Sequence, residues 1–362
     1  MLLPGIATAL LAAVFLCIAL VGNTDKGTEP KIGMVLSGSA SEEGWNGMNY
    51  EGAAKVCDRL GVELLVKENI AEYNGQCERA VRELADEGAG MILLTSYSYP
   101  DEVRELVEEY PDIIFNVNSF EHHGDNMASY FVRMYQARYL SGIIAGMRTR
   151  SNVAGYVAAK PNNEVNRGIN AFTLGVKRSN PAARVVVVWT GEWDDQDKEM
   201  QAVEKLVQEQ SADVLTYHQN RTHVIEAAER LGVDSIGYHK EFAGYSPHYL
   251  TSVVCDWEKV YEEVISDYLK GKGNSQKGYW LGIDAGAVGL TPYSEYVTKD
   301  IQEAVEEART EILSGKAVFS GKIYDRDGQL ICGESEMISD EALLEHVDWY
   351  VEGVEFYDES MD

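Results

Sequence analysis

Lys31-Ile32-Gly33-Met34-Val35-Leu36-Ser37-Gly38-Ser39-Ala40 is an apolar run that stops at a small polar loop, and an amphipathic stretch over 44–60 follows it, closed by Gly61. This order is a buried strand, a turn and a helix. It returns 123 positions later, where Lys31 falls on Ala154, Val35 on Ala158, Gly52 on Gly175, and Asn116 on His239. The offset carries 31–118 onto 154–241 without an insertion. One α/β half has been written twice, which predicts two similar lobes and a cleft between them.

Working outward, strands are predicted over 31–36, 62–66, 91–95 and 113–117, with helices over 44–60, 76–87 and 101–109. The second copy repeats this with strands over 154–158, 184–188, 214–217 and 235–238, and helices over 164–177, 198–209 and 223–231. Alternation of this kind gives parallel sheets covered on both faces. Between the copies, Tyr139-Leu140-Ser141-Gly142-Ile143-Ile144-Ala145-Gly146 reads as a helix that packs closely through small residues. Its counterpart over 249–271 reads as a strand and a long helix, and these two segments are where the chain could pass between lobes. The tail adds a helix over 299–314 and a turn over 325–328. The lobes are therefore expected to comprise 31–148 with about 250–280, and 149–249 with about 281–362.

The chain has 362 residues and a net charge of -28. No Lys/Arg stripe is visible, so the composition excludes nucleic acid as a partner. Residues 2–21 are almost continuously apolar and 22–30 form a polar linker. That pattern predicts a signal peptide or membrane anchor over 1–30, with Cys17 as a candidate for lipid attachment. The location expected is outside the cytoplasm, in the periplasm or at the outer face of the cell membrane. Cys57, Cys77, Cys255 and Cys332 show no metal spacing and read as lone buried thiols, one disulfide between Cys57 and Cys77 being the alternative. His122-His123 is an adjacent pair whose side chains diverge on extended backbone, a poor joint metal site.

Ligands of parallel α/β sheets bind outside the carboxyl ends of the strands. The loops there are 37–46, 96–99 and 116–120 in the first lobe, and 160–167, 190–195, 218–222 and 239–242 in the second. They offer Ser96, Tyr97, Glu164, His218, Gln219 and His239: hydroxyl, carboxyl, amide and imidazole groups without a catalytic set. No phosphate loop, GxGxxG, HExxH or GxSxG occurs. A binding protein is expected rather than an enzyme, with no cofactor and no metal. Trp45 and Trp193, each in a polar loop at a strand end, offer flat faces for a planar ligand. Asn46 and Gln136 each carry a donor and an acceptor for a heterocycle edge.

Several stretches are similar to the bacterial Bmp family of substrate-binding lipoproteins, also called PnrA-like. These are Gly44-Trp45, Arg138-Tyr139-Leu140-Ser141-Gly142-Ile143-Ile144-Ala145-Gly146, residues 152–159, Glu164-Val165-Asn166-Arg167-Gly168-Ile169-Asn170-Ala171-Phe172-Thr173-Leu174-Gly175, and the tail Val347-Asp348-Trp349-Tyr350-Val351-Glu352-Gly353-Val354. The resemblance covers nearly all of the chain after the leader. It implies a type I periplasmic-binding-protein fold, two Rossmann-like lobes with parallel sheets joined by a multi-segment hinge and closing on ligand. It implies delivery of a purine nucleobase or nucleoside to the transmembrane subunits of an ABC permease. It also implies stacking of the base on Trp45, a bond from Asn46 to its edge, and a cleft lined by Tyr135-Gln136 and the loops at His218 and His239. The family usually has aspartate where His239 stands, and Lys-Asp in the turn that here reads Ile283-Asp284-Ala285-Gly286. Both positions tend to meet a ribose, so base and nucleoside remain equally open. A sensing receptor of the same fold, or a receptor for another planar ligand such as riboflavin, is the alternative.

Overall fold

The computed structural model describes residues 30–118, 125–242, 246–272 and 278–358. The N-terminal apolar stretch with Cys17, and the pair His122-His123, lie outside the described residues. Among the described residues no helix is long and apolar enough to cross a membrane.

The first copy runs β1 (Lys31–Val35), α1 (Trp45–Leu60), β2 (Glu63–Lys67), α2 (Gln76–Asp86), β3 (Ala89–Leu94), α3 (Tyr99–Glu102), α4 (Arg104–Glu109), β4 (Ile114–Val117), β5 (Met127–Val132) and α5 (Met134–Arg148). The second runs β6 (Val153–Ala158), α6 (Asn163–Ser179), β7 (Arg184–Trp189), α7 (Gln196–Glu204, continued by a π turn Lys205–Glu209), β8 (Val214–His218), α8 (His223–Leu231), β9 (Asp234–Tyr238), β10 (Tyr249–Cys255) and α9 (Trp257–Leu269). The remainder supplies β11 (Tyr279–Leu281), β12 (Val288–Leu290), α10 (Lys299–Leu313), β13 (Ile323–Tyr324), β14 (Leu330–Cys332), α11 (Asp340–Glu345) and β15 (Val354–Phe356). The expected turn over 325–328 joins β13 and β14 as an antiparallel hairpin.

The two sheets have the orders β11-β5-β4-β3-β1-β2 and β12-β10-β9-β8-β6-β7-β15. The 123-residue offset superposes the cores of these orders strand for strand, from β5 on β10 to β2 on β7. Pairing is parallel except for β12 against β10. Alternate residues of β1 and β3 face opposite ways, and this separates two cores. Ile32, Met34, Met91 and Leu93 join the larger apolar cluster, which runs through both lobes, while Val35, Ile92 and Leu94 join a smaller one. Cys57 sits in the first and Cys77 in the second, so both stay free and buried.

The passages between lobes differ from the expected boundaries. β5 completes the first sheet, but α5, expected with the first lobe, packs on α6 of the second. Reciprocally β10, expected with the first lobe, lies in the second sheet, and α9 returns to pack on α1. The chain crosses at Arg133, at Asp256 and again between β11 and β12, each time leaving a strand before it enters the other lobe. A pattern of apolar residues marks strand and helix but not the lobe against which each packs, so a cut placed at a helix end was natural. Both exchanged contacts rely on glycine: a Cβ on Gly175 would lie 2.0 Å from the Tyr139 carbonyl oxygen, and one on Gly52 would lie 2.7 Å from Trp257 Cβ.

The tail locks onto α6. Asn166 Nδ2 donates to the Val347 carbonyl at 2.8 Å, and Asn170 bonds the carbonyl of Trp349 and the N–H of Val351, each at 2.9 Å. Burying polar asparagines on a helix face is tolerable because each finds a backbone partner.

Candidate functional site

Both sheets reverse strand order beside their first strand, between β1 and β3 and between β6 and β8, and the loops after these strands face one another. In doubly wound sheets that crevice is where ligands bind. Here it is a cavity of about 600 Å³ including its open mouth. Ser37, Trp45, Glu72, Thr95, Ser96 and Tyr97 line it from the first lobe together with Asn118 and Phe131. Asn162, Glu164, Trp193, His218, Asn220, Tyr238 and His239 line it from the second.

Trp45, half-buried at the first position of α1, sends its indole N–H to the Thr95 carbonyl at 2.9 Å. Trp257 of α9 meets the same ring edge-on at 5.2 Å and 83°. Trp193 approaches from the other lobe and tilts against His218 with ring centroids 6.0 Å apart. The two indoles expected at the cleft are thus both there.

The polar floor belongs to the second lobe. Asn162 caps α6 by accepting from the Val165 N–H at 2.9 Å, which sets Glu164 in the first turn pointing at β8. Glu164 Oε1 lies 3.7 Å from His218 Nε2, has no hydrogen-bond partner, and is buried. Burial raises the Glu164 carboxyl to about 7, against the opposing pull of Arg167 and Arg138. His218 is held neutral, because burial and then the positive field of Arg138 push its pKa well below 6.5. Its Nε2 faces the Tyr238 hydroxyl at 3.4 Å and its Nδ1 has no partner. His239 is also neutral, lowered by burial to about 3. Its Nε2 donates to the Gln219 carbonyl at 3.1 Å and its ring stacks on Tyr238 at 3.6 Å. The backbone of His239 has φ 74°, a left-handed conformation that a non-glycine residue adopts at some cost. Beneath them Arg138 is wholly buried, its guanidinium 4.3 Å from the Tyr238 ring centre and bonded to Thr216 Oγ1 at 3.2 Å.

Of the residues expected at the site, Trp45, Ser96, Tyr97, Glu164, Trp193, His218 and His239 line the cavity. Four do not. Asn46 is buried behind Ser37, donating to Glu42 Oε2 at 2.9 Å and accepting from Ser37 Oγ at 3.2 Å. Gln136 Oε1 accepts from the Ile283 N–H at 2.9 Å, so it ties two hinge crossings together. Asp284 is exposed on the third crossing. Gln219 is buried and turns its amide to Thr190 Oγ1 at 2.8 Å and to the carbonyls of Glu192 at 2.9 Å and Trp193 at 3.2 Å, bracing the Trp193 loop. Asn118, Asn162 and Asn220 stand in loops that the sequence points to without singling them out. Phe131 and Tyr238 sit on or at the ends of strands, and Glu72 lies before α2, where no sequence signal marked them.

The mouth is drawn together in this structure. Lys240 Nζ of the second lobe lies 2.9 Å from Glu43 Oε2 of the first, and the Asn220 carbonyl approaches Gly44 so closely that a Cβ there would lie 2.1 Å from it.

Comparison with known proteins decides the family. The model of the Bmp family, described as ABC transporter substrate-binding protein PnrA-like, matches residues 29–326. The chain belongs to this family. A purine-binding protein of Brucella abortus is 32% identical over 329 residues, covering 90% of this chain and 93% of the relative. The crystal structure of a transcriptional activator of the comK gene from Bacillus halodurans superposes with a TM-score of 0.69 at 25% identity, over 79% of this chain and 99% of that one. An ABC transporter solute-binding protein of Aeropyrum pernix shares the fold at a TM-score of 0.68 and 20% identity, over 79% and 92% of the two chains. The chain is thus a Bmp-family substrate-binding protein with the two-lobed periplasmic-binding-protein architecture.

Proposed function

We propose that this Bmp protein captures a purine nucleobase or nucleoside between its lobes and delivers it to the transmembrane subunits of an ABC permease. The observation that carries the proposal is the pair Trp45 and Trp193, which border one cavity from opposite lobes. Indole faces suit a planar heterocycle, and each stacked face contributes about 1–3 kcal/mol. Unpartnered Glu164 Oε1 and His218 Nδ1 then select the base edge, because a wrong heterocycle leaves these buried groups unmatched. A carboxyl with a pKa of about 7 can donate or accept there. The likeness to a purine-binding protein supports the same ligand class.

The experiment is titration calorimetry against adenine, guanine, hypoxanthine, their nucleosides, riboflavin and glucose. Binding of one purine per chain with the others inert is the expected result, and heat only from riboflavin or glucose overturns it. The same panel decides whether a ribose is accepted beside His239. Export and anchoring through the N-terminal apolar stretch or a lipid on Cys17 belong to this proposal. Labelled palmitate should enter the wild-type chain in cells and be absent from Cys17→Ala if the anchor is a lipid. The likeness to a transcriptional activator favours sensing as a second reading. Permease and ATPase genes adjoining its own would separate transport from it.

A further inference from the structure

We infer that the second lobe carries a divalent metal site of the zinc class, outside the cleft, formed by Asp194, Glu199 and His223. These residues come from three pieces of chain: Asp194 from the turn after β7, Glu199 from the first turns of α7, and His223 from the first position of α8. Each offers one donor atom, and the three atoms lie within 4.8 Å of one another. A tetrahedral set at about 2.1 Å from an ion has donors roughly 3.4 Å apart, so the three side chains need to draw together by little to hold one. His223 Nε2 and Asp194 Oδ1 already stand 3.7 Å apart.

Two features separate this group from a chance cluster of acids. Glu199 is wholly buried, and its Oε2 has no hydrogen-bond partner, while its Oε1 accepts weakly from the Asp195 N–H at 3.4 Å. A buried carboxylate oxygen left unmatched is costly, and a cation is the partner that removes the cost. His223 Nδ1 is likewise buried and unmatched. Asp194 divides its oxygens, with Oδ2 accepting from Arg221 Nε at 3.0 Å while Oδ1 faces His223. The arginine therefore orients the ligand without blocking the ion.

Two carboxylates and an imidazole balance a dication, Glu199 releasing its proton as the ion enters, which makes the centre electrically neutral. Mixed nitrogen and oxygen donors favour zinc, and also manganese or iron, over magnesium or calcium, which prefer oxygen alone. Such an ion would clamp the turn that presents Trp193, one residue away, to both flanking helices.

The test is calorimetric titration of the full chain with zinc chloride, with thermal melts in zinc and in chelator. One zinc per chain and a higher melting temperature in zinc are expected. Glu199→Gln and His223→Gln, each checked for folding by circular dichroism, should weaken zinc at least about tenfold, while Asp197→Asn on the exposed face of α7 should bind as wild type. Diffuse, unsaturable uptake by this acidic chain overturns the site. So does unchanged zinc affinity in both variants. Should either variant fail to fold, cobalt(II) in the wild-type chain still decides the matter: intense visible bands of a four- or five-coordinate site support it, and the weak spectrum of hydrated cobalt overturns it.

Discussion

The indole N–H of Trp45 donates to the Thr95 carbonyl at 2.9 Å, which ties the first residue of α1 to the loop at the end of β3. With its nitrogen held there and Trp257 against it edge-on, the ring cannot turn freely. A fixed plane bordering the cavity is what a stacking partner needs, since a mobile ring would lose entropy on binding.

Trp45→Ala should therefore weaken purine binding by about 1–3 kcal/mol, roughly 5- to 150-fold, with the circular dichroism spectrum unchanged. Trp45→Phe keeps an aromatic face but loses the bond to Thr95, and should fall between. Calorimetry on the three proteins checks this, and wild-type affinity in Trp45→Ala removes the stacking role.

The exchange of helices between lobes makes a stability prediction from glycine positions alone. A Cβ at Gly175 meets the Tyr139 carbonyl at 2.0 Å and the Ile143 nitrogen at 3.0 Å, both backbone atoms that cannot step aside. A Cβ at Gly168, on the same helix, meets nothing nearer than the Tyr156 hydroxyl at 3.5 Å. Overpacking costs about 1–3 kcal/mol, and replacing a helical glycine by alanine returns up to about 1 kcal/mol. Gly175→Ala should be destabilised by about 2 kcal/mol in urea unfolding, and Gly168→Ala should be neutral or slightly more stable. Equal midpoints for the two variants would contradict the close α5–α6 contact.

Much of this architecture is legible in the chain because its halves repeat. The 123-residue offset carries Met134 of α5 onto Trp257 of α9, so even the exchanged helices obey it. The small-residue face of α5 also reads directly, through Gly142 and Gly146. β5 was missed because Met127–Val132 is buried throughout and shows no period-two alternation. The site was less legible than the fold. Trp45 and Trp193 stand out as rare residues in polar loops, but an amide's chemistry does not say which way it points. Asn46 and Gln219 spend theirs on bracing, and Tyr238 reaches the cavity from the end of a strand that reads simply as core.

Burial makes Glu164 sensitive to pH. Its folded pKa of about 7 lies above the ordinary 4.5, so the folded chain holds this proton more tightly than the unfolded chain. The stability linked to it is complete below pH 4.5 and is lost as the pH rises through 7. Glu164→Gln, always neutral, should then be more stable than wild type at pH 8 by on the order of 3–4 kcal/mol, at about 1.4 kcal/mol per unit, and the gap should narrow towards pH 5. Glu199, raised by burial to about 8, titrates in the same direction, which is why the difference between the two proteins is the quantity to follow. A gap that does not change with pH contradicts an unpaired, buried carboxyl at this position.

Closure can be tested at the mouth of the cleft. Gly44 faces the Asn220 carbonyl across the mouth, where a Cβ would lie 2.1 Å away. Gly44→Ala therefore penalises the drawn-together state, by about 1–3 kcal/mol if the clash is taken up there. A ligand shifts the equilibrium between open and closed forms only by its preference for one of them. The penalty should thus appear directly in affinity, as a loss of roughly 5- to 150-fold, with the unfolding midpoint of the free protein lowered little. Solution scattering should show the variant more open without purine than the wild type. If Gly44→Ala binds as tightly as the wild type, the Gly44–Asn220 approach is not part of the form that holds the ligand, and closure must place the lobes differently from this structure.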